Sequence, residues 1–482
     1  MKYLKEIIIL ILPFLIPLKP ACQERSLESF LSDSSMRYAS VSLCLIDGNS
    51  GDSVLEYQPE KSLIPASVLK LLTTASALEL LGPDHTFRTE IGYTGTLNKK
   101  TGRLSGDIVI RGGGDPALGS KNFIGHYGDF IREWLEEISK QGIKRIDGSI
   151  ITDDSYYDYQ PVPPKWLWED AGNYYGAGAY GLSVFDNAYE IHFKTFSENV
   201  PPKLIKVVPD ECNYDLSNRL LSAGNTDKGY IFAAPYGNNG WIAGTIPVNR
   251  DNFILKASIN DPPLLLADIL YRKLDSMGII VSGKPTTTRL ENIIINKEIE
   301  MIAKTVSPLL KDIIKALNQK SINLYAEHLV KEIGRVNKNS GTTLSGIEAI
   351  KEFLEKSGID TEGFFIEDGS GLSPLNSINS KALTQLLLFM KNRGVCFNEF
   401  YSSLPEAGKE GTLKNHFRDP FFSSVMRAKS GSMTRVISYA GYFTADSGRK
   451  MIFSIIINNY TGTSQKIISG IEEIIKEVIL NK

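Results

Sequence analysis

The chain has 482 residues, 42% of them hydrophobic and 22% charged, with a formal net charge of −2. That balance, without a long single-sign tail, gives no electrostatic footprint for nucleic acid, and no nucleic-acid partner is expected. The length exceeds one small domain and provides for about two to three, with a buried core of ordinary size.

In chain order, the N-terminus comes first. Lys2 and Lys5 precede an apolar run from Ile7 to Leu18, and a small residue, Ala21, follows. This is the layout of a secretory signal peptide over residues 1–21, and the run is short for a membrane-spanning helix. Export is therefore expected. Cys22 directly after Ala21 also brings a lipoprotein cleavage site to mind, but Lys19 and Pro20 depart from that pattern, so export without a lipid anchor is the favoured reading. Cys44, Cys212 and Cys396 are widely spaced, with no C-x-x-C pair, and the five histidines are scattered. Neither a disulfide framework nor a metal site is expected. His328 and Glu332 can share a helix face, where a partly exposed helical histidine is a better reading than a ligand.

Alternating residues around "DGNSGDS" predict a hairpin over 38–46 and 54–57. The run "PASVLKLLTTASALELLGP" predicts a helix that starts at Ser67 and stops at Gly82-Pro83. From Phe87 onward short strands and turns dominate, interrupted by one helix, "PPLLLADILYRKLDSMG". Beyond that stretch, "SPLLKDIIKALNQ" predicts a helix with Ser307 as N-cap and Pro308 at its first position. Helices follow over 323–333, 344–356 and 381–393, then the strand-like "SSVMRAKSG", "VISYAGYFTA" and "RKMIFSIIINNY", and a last helix, "TSQKIISGIEEIIKEVIL". The economical architecture is α+β: one domain assembled from 36–86 and 297–482, with a mainly β insert over 87–296 read as two small subdomains.

A serine hydroxyl is a weak nucleophile until a neighbouring base takes its proton. Ser67 and Lys70 stand at i and i+3 at a helix start, where they share a face and where unpaired N–H groups suit a developing oxyanion. An isolated S-x-x-K is weak evidence, because a helix cap beside a solvated lysine explains it equally well. The second copy, Ser447–Lys450, lies in a hairpin turn where the side chains have no reason to converge.

Serine enzymes that recognise penicillins add an S-x-N-type element and a K-[ST]-G element. "SIN" occurs at Ser258, Ser321 and Ser377, and only Ser321–Asn323 sits at a junction between two predicted helices. K-[ST]-G occurs at Lys100, Lys356 and Lys429, and only Lys429, Ser430 and Gly431 close a strand of the end-built domain. The retained set keeps the required order and avoids the insert. "RGGGDP" lacks a following G-K-[ST] and reads as a tight turn. Trp166 and Trp168 read as packing, with a glycan groove as the alternative.

With these motifs, and with "GDIVIRGGGDPAL", "YGAGAYGLSVFDN", "DGSGLSPLN", "LPEAGKEGTL" and "AKSGSMTRVISYAGY", the chain resembles the three-domain D-alanyl-D-alanine carboxypeptidase/endopeptidases. These are low-molecular-mass penicillin-binding proteins with a long insert between the first two motifs. The resemblance implies a penicillin-binding/serine β-lactamase-like domain, an antiparallel sheet flanked by helices. It also implies a periplasmic hydrolase without cofactor that acts on peptidoglycan peptides and is acylated by β-lactam antibiotics. Ser67 would attack, Lys70 act as general base, Ser321 relay a proton, and Asn323 hold the peptide amide. Lys429 and Ser430 would bind the terminal carboxylate, and the N–H groups of Ser67 and Ser432 would form the oxyanion hole beside Gly431. A β-lactamase or esterase on the same core, and a non-catalytic peptidoglycan-binding protein, are the rival readings.

Overall fold

The computed structural model describes residues 25–212, 214–295 and 297–481. The expected signal peptide and Cys22 lie outside the described residues. Among the described residues, no helix is long and apolar enough to cross a membrane.

The central element is a five-stranded antiparallel sheet made from both ends of the chain. Its strands are Ser40–Asp47 (β1), Ser53–Tyr57 (β2), Met426–Met433 (β3), Val436–Thr444 (β4) and Lys450–Asn458 (β5). Their spatial order is β3-β4-β5-β1-β2. β5 reads as an almost unbroken apolar run because both of its faces are covered. Ile452 and Ile456 face one core, while Met451, Phe453, Ile455 and Ile457 face the other. β1 divides in the same way, with Cys44 and Ile46 against Leu43 and Leu45. Period-two alternation thus persists, with apolar residues on both sides.

One face packs on Lys70–Leu81 (α1), Leu310–Lys320 (α2), Asn323–Lys338 (α3), Thr343–Lys356 (α4) and Ser380–Asn392 (α5). The other is covered by the helix Arg25–Ser32 and by Ser464–Asn481 (α6), whose Leu27, Phe30, Ile467 and Ile471 share a core. Phe30 of the first of these helices sits directly over Gly470 of α6.

Between α1 and α2 the chain builds four further sheets. One has the order Pro285–Thr287, Ile150–Asp153, Ile108–Arg111, Arg88–Tyr93, Glu300–Val306. Its last strand pairs antiparallel with Arg88–Tyr93 and so lies beyond the expected boundary at 296. The inserted region also holds a second long helix, Phe130–Lys140, besides Pro262–Ser276. Asp129 caps it by accepting from the Arg132 N–H at 3.1 Å, and Phe130, Ile131, Trp134, Leu135 and Ile138 are buried. Its apolar residues follow the helical period that the turn-rich surroundings obscured.

Two local expectations change, and the tryptophan pair divides. Ser307 caps no helix: α2 starts at Leu310, and the Ser307 hydroxyl accepts from the Phe87 N–H at 2.9 Å and donates to the Pro308 carbonyl. His328 is fully buried, not partly exposed; its ring meets the Ser183 hydroxyl at 2.9 Å and the Gly114 carbonyl at 3.0 Å. Trp166 is buried and donates its indole N–H to Asp368 at 2.8 Å, while Trp168 is half exposed beside Trp241.

Candidate active site

Ser67 lies in a single 3₁₀ turn, Ala66–Leu69, that runs straight into α1. Ala66 holds a positive φ of 47°, and the serine caps nothing: no side chain caps this turn or the helix after it. Its hydroxyl is therefore free for another partner. α1 is buried on every side from Lys70 to Leu78, so the lysine that opens it has no route to solvent.

Lys70 is fully buried, and its Nζ has three neighbours: Ser67 Oγ at 2.9 Å, Asn323 Oδ1 at 2.7 Å and the Ser370 carbonyl at 2.6 Å. The Asn323 amide is oriented by its other end, whose N–H donates to the Tyr175 carbonyl at 2.8 Å. Two of the three oxygens can therefore only accept. As an ammonium, Lys70 donates to all three. As a free amine it has two N–H bonds, which the two acceptor-only oxygens take, and its lone pair is left facing the Ser67 O–H. Burial pulls the lysine down to about 7, against the opposing pull of Asp368 and Glu327. The amine is thus available near neutrality to take a proton from Ser67.

Ser321 terminates α2 in the left-handed conformation, with φ 56°, and Asn323 opens α3. This sharp junction turns both side chains to the same side. Lys429, on β3 and fully buried, donates to Ser321 Oγ at 3.0 Å and to the Ser430 carbonyl at 2.7 Å. Burial, with the nearby Lys70 charge, holds Lys429 well below the ordinary lysine range. Ser430 donates its hydroxyl to Thr412 Oγ1 at 2.8 Å. Gly431 is the point where β3 passes the nucleophile turn. A Cβ there would lie 2.8 Å from both the Pro65 carbonyl oxygen and the Ser67 nitrogen, closer than side chains tolerate. Ser67, Ser321, Asn323 and Ser432 line one cleft of about 330 Å³, whose opposite wall comes from the insert, with Asp170, Tyr175 and Tyr230. Burial pushes the Asp170 carboxyl up to about 6.

The profile of the D-Ala-D-Ala carboxypeptidase 3 (S13) family matches residues 23–478. The chain belongs to that family. It is a serine-type D-Ala-D-Ala peptidase, a hydrolase. Among S13 relatives, the D-alanyl-D-alanine carboxypeptidase of Actinomadura sp. (strain R39) is 27% identical over 449 residues, 90% of this chain and 81% of the relative. The D-alanyl-D-alanine carboxypeptidase DacB of Haemophilus influenzae is 25% identical, covering 86% and 84% of the two chains. The crystal structure of penicillin binding protein 4 (dacB) from H. influenzae superposes with a TM-score of 0.79 at 22% identity, over 93% of this chain and 97% of that one. The S13 fold, a penicillin-binding sheet-and-helix core carrying a long insert, is the one the sequence implies.

The duplicated motifs of this S13 chain separate cleanly. Lys450 turns to Thr444 at 3.0 Å, not to Ser447. Ser258 donates to the Ala171 carbonyl, and Asn379 caps α5 by accepting from Ala382. Gly358 ends α4 with φ +83°.

Sequence reasoning missed the second layer. Asp368 accepts from the N–H groups of Gly371 at 2.7 Å and Ser373 at 2.6 Å, from Asn376 at 2.9 Å and from Trp166. Gly371, with φ +81°, brings this loop against the Ala66 carbonyl, where a side chain has no room. The available signal was Glu327, a carboxylate one turn after Asn323 on a helix face that is otherwise buried.

Proposed function

We propose that this chain hydrolyses D-Ala-D-Ala-type peptide bonds in peptidoglycan peptides through an acyl-enzyme on Ser67, and that β-lactams acylate the same oxygen. The observation that carries the reading is the triple contact of buried Lys70, which leaves a free amine no other use for its lone pair than the Ser67 proton. Ser67 Oγ attacks the carbonyl carbon as its proton passes to Lys70. The tetrahedral oxyanion is held by the Ser67 and Ser432 N–H groups, and each such donor is worth ~10²–10³ in rate. The leaving amine takes its proton from Ser321, which relays the proton that Lys70 took from Ser67 and is held in place by Lys429 at 3.0 Å, so Lys70 is a free amine again once the acyl-enzyme has formed. Lys429 and Ser430 hold the terminal carboxylate, and Asn323 fixes both Lys70 and the peptide amide. Water then attacks the ester, with Lys70 again as base, and frees Ser67.

The names of relatives support the substrate class. One from Dictyostelium discoideum, 26% identical over 456 residues, is called a penicillin-sensitive carboxypeptidase A. The H. influenzae structure has also been determined complexed with a β-lactam. Export to the periplasm, with cleavage after residue 21, belongs to this proposal. So does the division into a catalytic unit and an insert over 87–296, with Glu300–Val306 completing the insert's sheet.

Intact-mass measurement after incubation with a penicillin tests the assignment. A stable adduct of one penicillin per chain is expected, and none on Ser67→Ala. A wild type without an adduct would refute it, and rapid penicillin turnover would favour the β-lactamase reading.

A further inference from the structure

A buried carboxyl stands behind Lys70 and has no place in the steps above. Glu327 lies one helical turn beyond Asn323 on α3 and is fully buried. Both of its oxygens accept from the Gly369 N–H, at 3.1 and 3.2 Å, and the nearby Ser370 side chain favours its ionised form. The next carbonyl, that of Ser370, is the acceptor 2.6 Å from Lys70 Nζ. From the other side the Gly369 carbonyl accepts from Thr73 of α1 at 2.7 Å. The Gly369–Ser370 segment is thus clamped between the helix that carries the base and the helix that carries Glu327.

The ionisable groups around this carboxyl come from every neighbouring element. α1 contributes Lys70, and the loop between α4 and α5 contributes Asp368, whose charge opposes ionisation of Glu327. β3 contributes Lys429, which faces Lys70. Its own helix contributes Lys331, which is tied to Asp158 at 2.6 Å. It also contributes His328, held neutral by burial. The buried side chains of α2 and α4 are uncharged. An unpaired buried charge is costly, so amine and carboxyl each favour ionisation of the other while burial opposes both. Burial, the leading cause, pushes Glu327 up to about 8, against the pull of Lys70, while Lys70 falls to about 7.

We propose that Glu327, through the Gly369–Ser370 segment that it and α1 clamp, positions the amine that activates Ser67 and that its charge favours the protonated form of that amine. Glu327 is a positioning residue: it touches no reacting atom. This inference rests on Lys70 as the base of the acylation step.

The test is the pH profile of penicillin acylation for wild type and Glu327→Gln. The glutamine keeps an acceptor for the Gly369 N–H and removes the charge. Without that charge Lys70 loses its proton more readily, so the acid limb should move about one unit to lower pH. Relative to its own plateau, the variant should then react about tenfold faster on that limb. Ser370→Ala, which keeps the carbonyl but removes the hydroxyl that favours ionised Glu327, should move the limb in the same direction by less. It decides the matter if Glu327→Gln does not fold. A merely structural role would lower the plateau or the melting temperature and leave the limb in place, and an unmoved limb overturns the proposal. Failure of the catalytic reading itself is distinguishable, because the wild type would then form no Ser67 adduct at any pH.

Discussion

Gly431→Ala isolates the close pass between β3 and the nucleophile turn. The added methyl would lie 2.8 Å from the Ser67 nitrogen and 2.8 Å from the Pro65 carbonyl oxygen. An ordinary contact needs about 3.5 Å, so strand and turn must separate by about 0.7 Å. The Ser438 hydroxyl, which donates to the same Pro65 carbonyl at 2.6 Å, crowds the methyl as well. The displacement acts on the nitrogen assigned to the oxyanion hole, where loss of one donor costs ~10²–10³ in rate. Overpacking of this kind also costs about 1–3 kcal/mol of stability. The acylation rate with a fluorescent penicillin should therefore fall ~10²–10³-fold, while circular dichroism shows a folded protein with a lowered melting temperature. A folded Gly431→Ala variant acylated within about threefold of wild type would refute the oxyanion geometry argued here.

Three further outcomes are expected. The wild-type acylation rate should rise about tenfold per pH unit below about 7 and flatten above it, because Lys70 acts as a free amine and burial brings it to about 7; a flat profile between pH 5 and 8 would contradict this. Asn323→Ala removes an acceptor from Lys70 and the donor to the Tyr175 carbonyl; acylation should drop ~10²-fold through misplacement of the base, and an unchanged rate would remove Asn323 from the site. Asp368→Asn replaces an oxygen that accepts backbone and indole N–H groups with an amide that must donate, and should cost about 2–4 kcal/mol in a denaturant melt; a shift below about 0.5 kcal/mol would show that the loop does not depend on it.

Part of the site was legible in the sequence because the chemistry is carried by short, ordered motifs. Ser67 and Lys70 are three residues apart, and a helical start of any detail brings them together. The choice among three "SIN" and three K-[ST]-G copies followed from which copies lie at element junctions of the end-built domain. The structure brings Ser321 to Lys429 at 3.0 Å and Asn323 to Lys70 at 2.7 Å. The helix Phe130–Lys140 escaped because turn-rich surroundings obscured its period, and the true start of α2 escaped because capping depends on backbone conformation, which a Ser-Pro pair does not fix. His328 was misjudged because exposure is a property of what packs on a helix, not of the helix.

The sequence by itself determined the order of the motifs and the α+β class, and it singled out Ser67 and Lys70 as candidate nucleophile and base, since local spacing governs side chains within one turn. Only the tertiary structure decided the burial of that lysine. Lys70 is a useful amine near neutrality because α3, β3 and the Gly369–Ser370 segment, distant in the chain, together exclude water from it. The same packing brought in Glu327 and Asp368, which carry no motif, because desolvation and opposing charge act through space and leave no spacing to read.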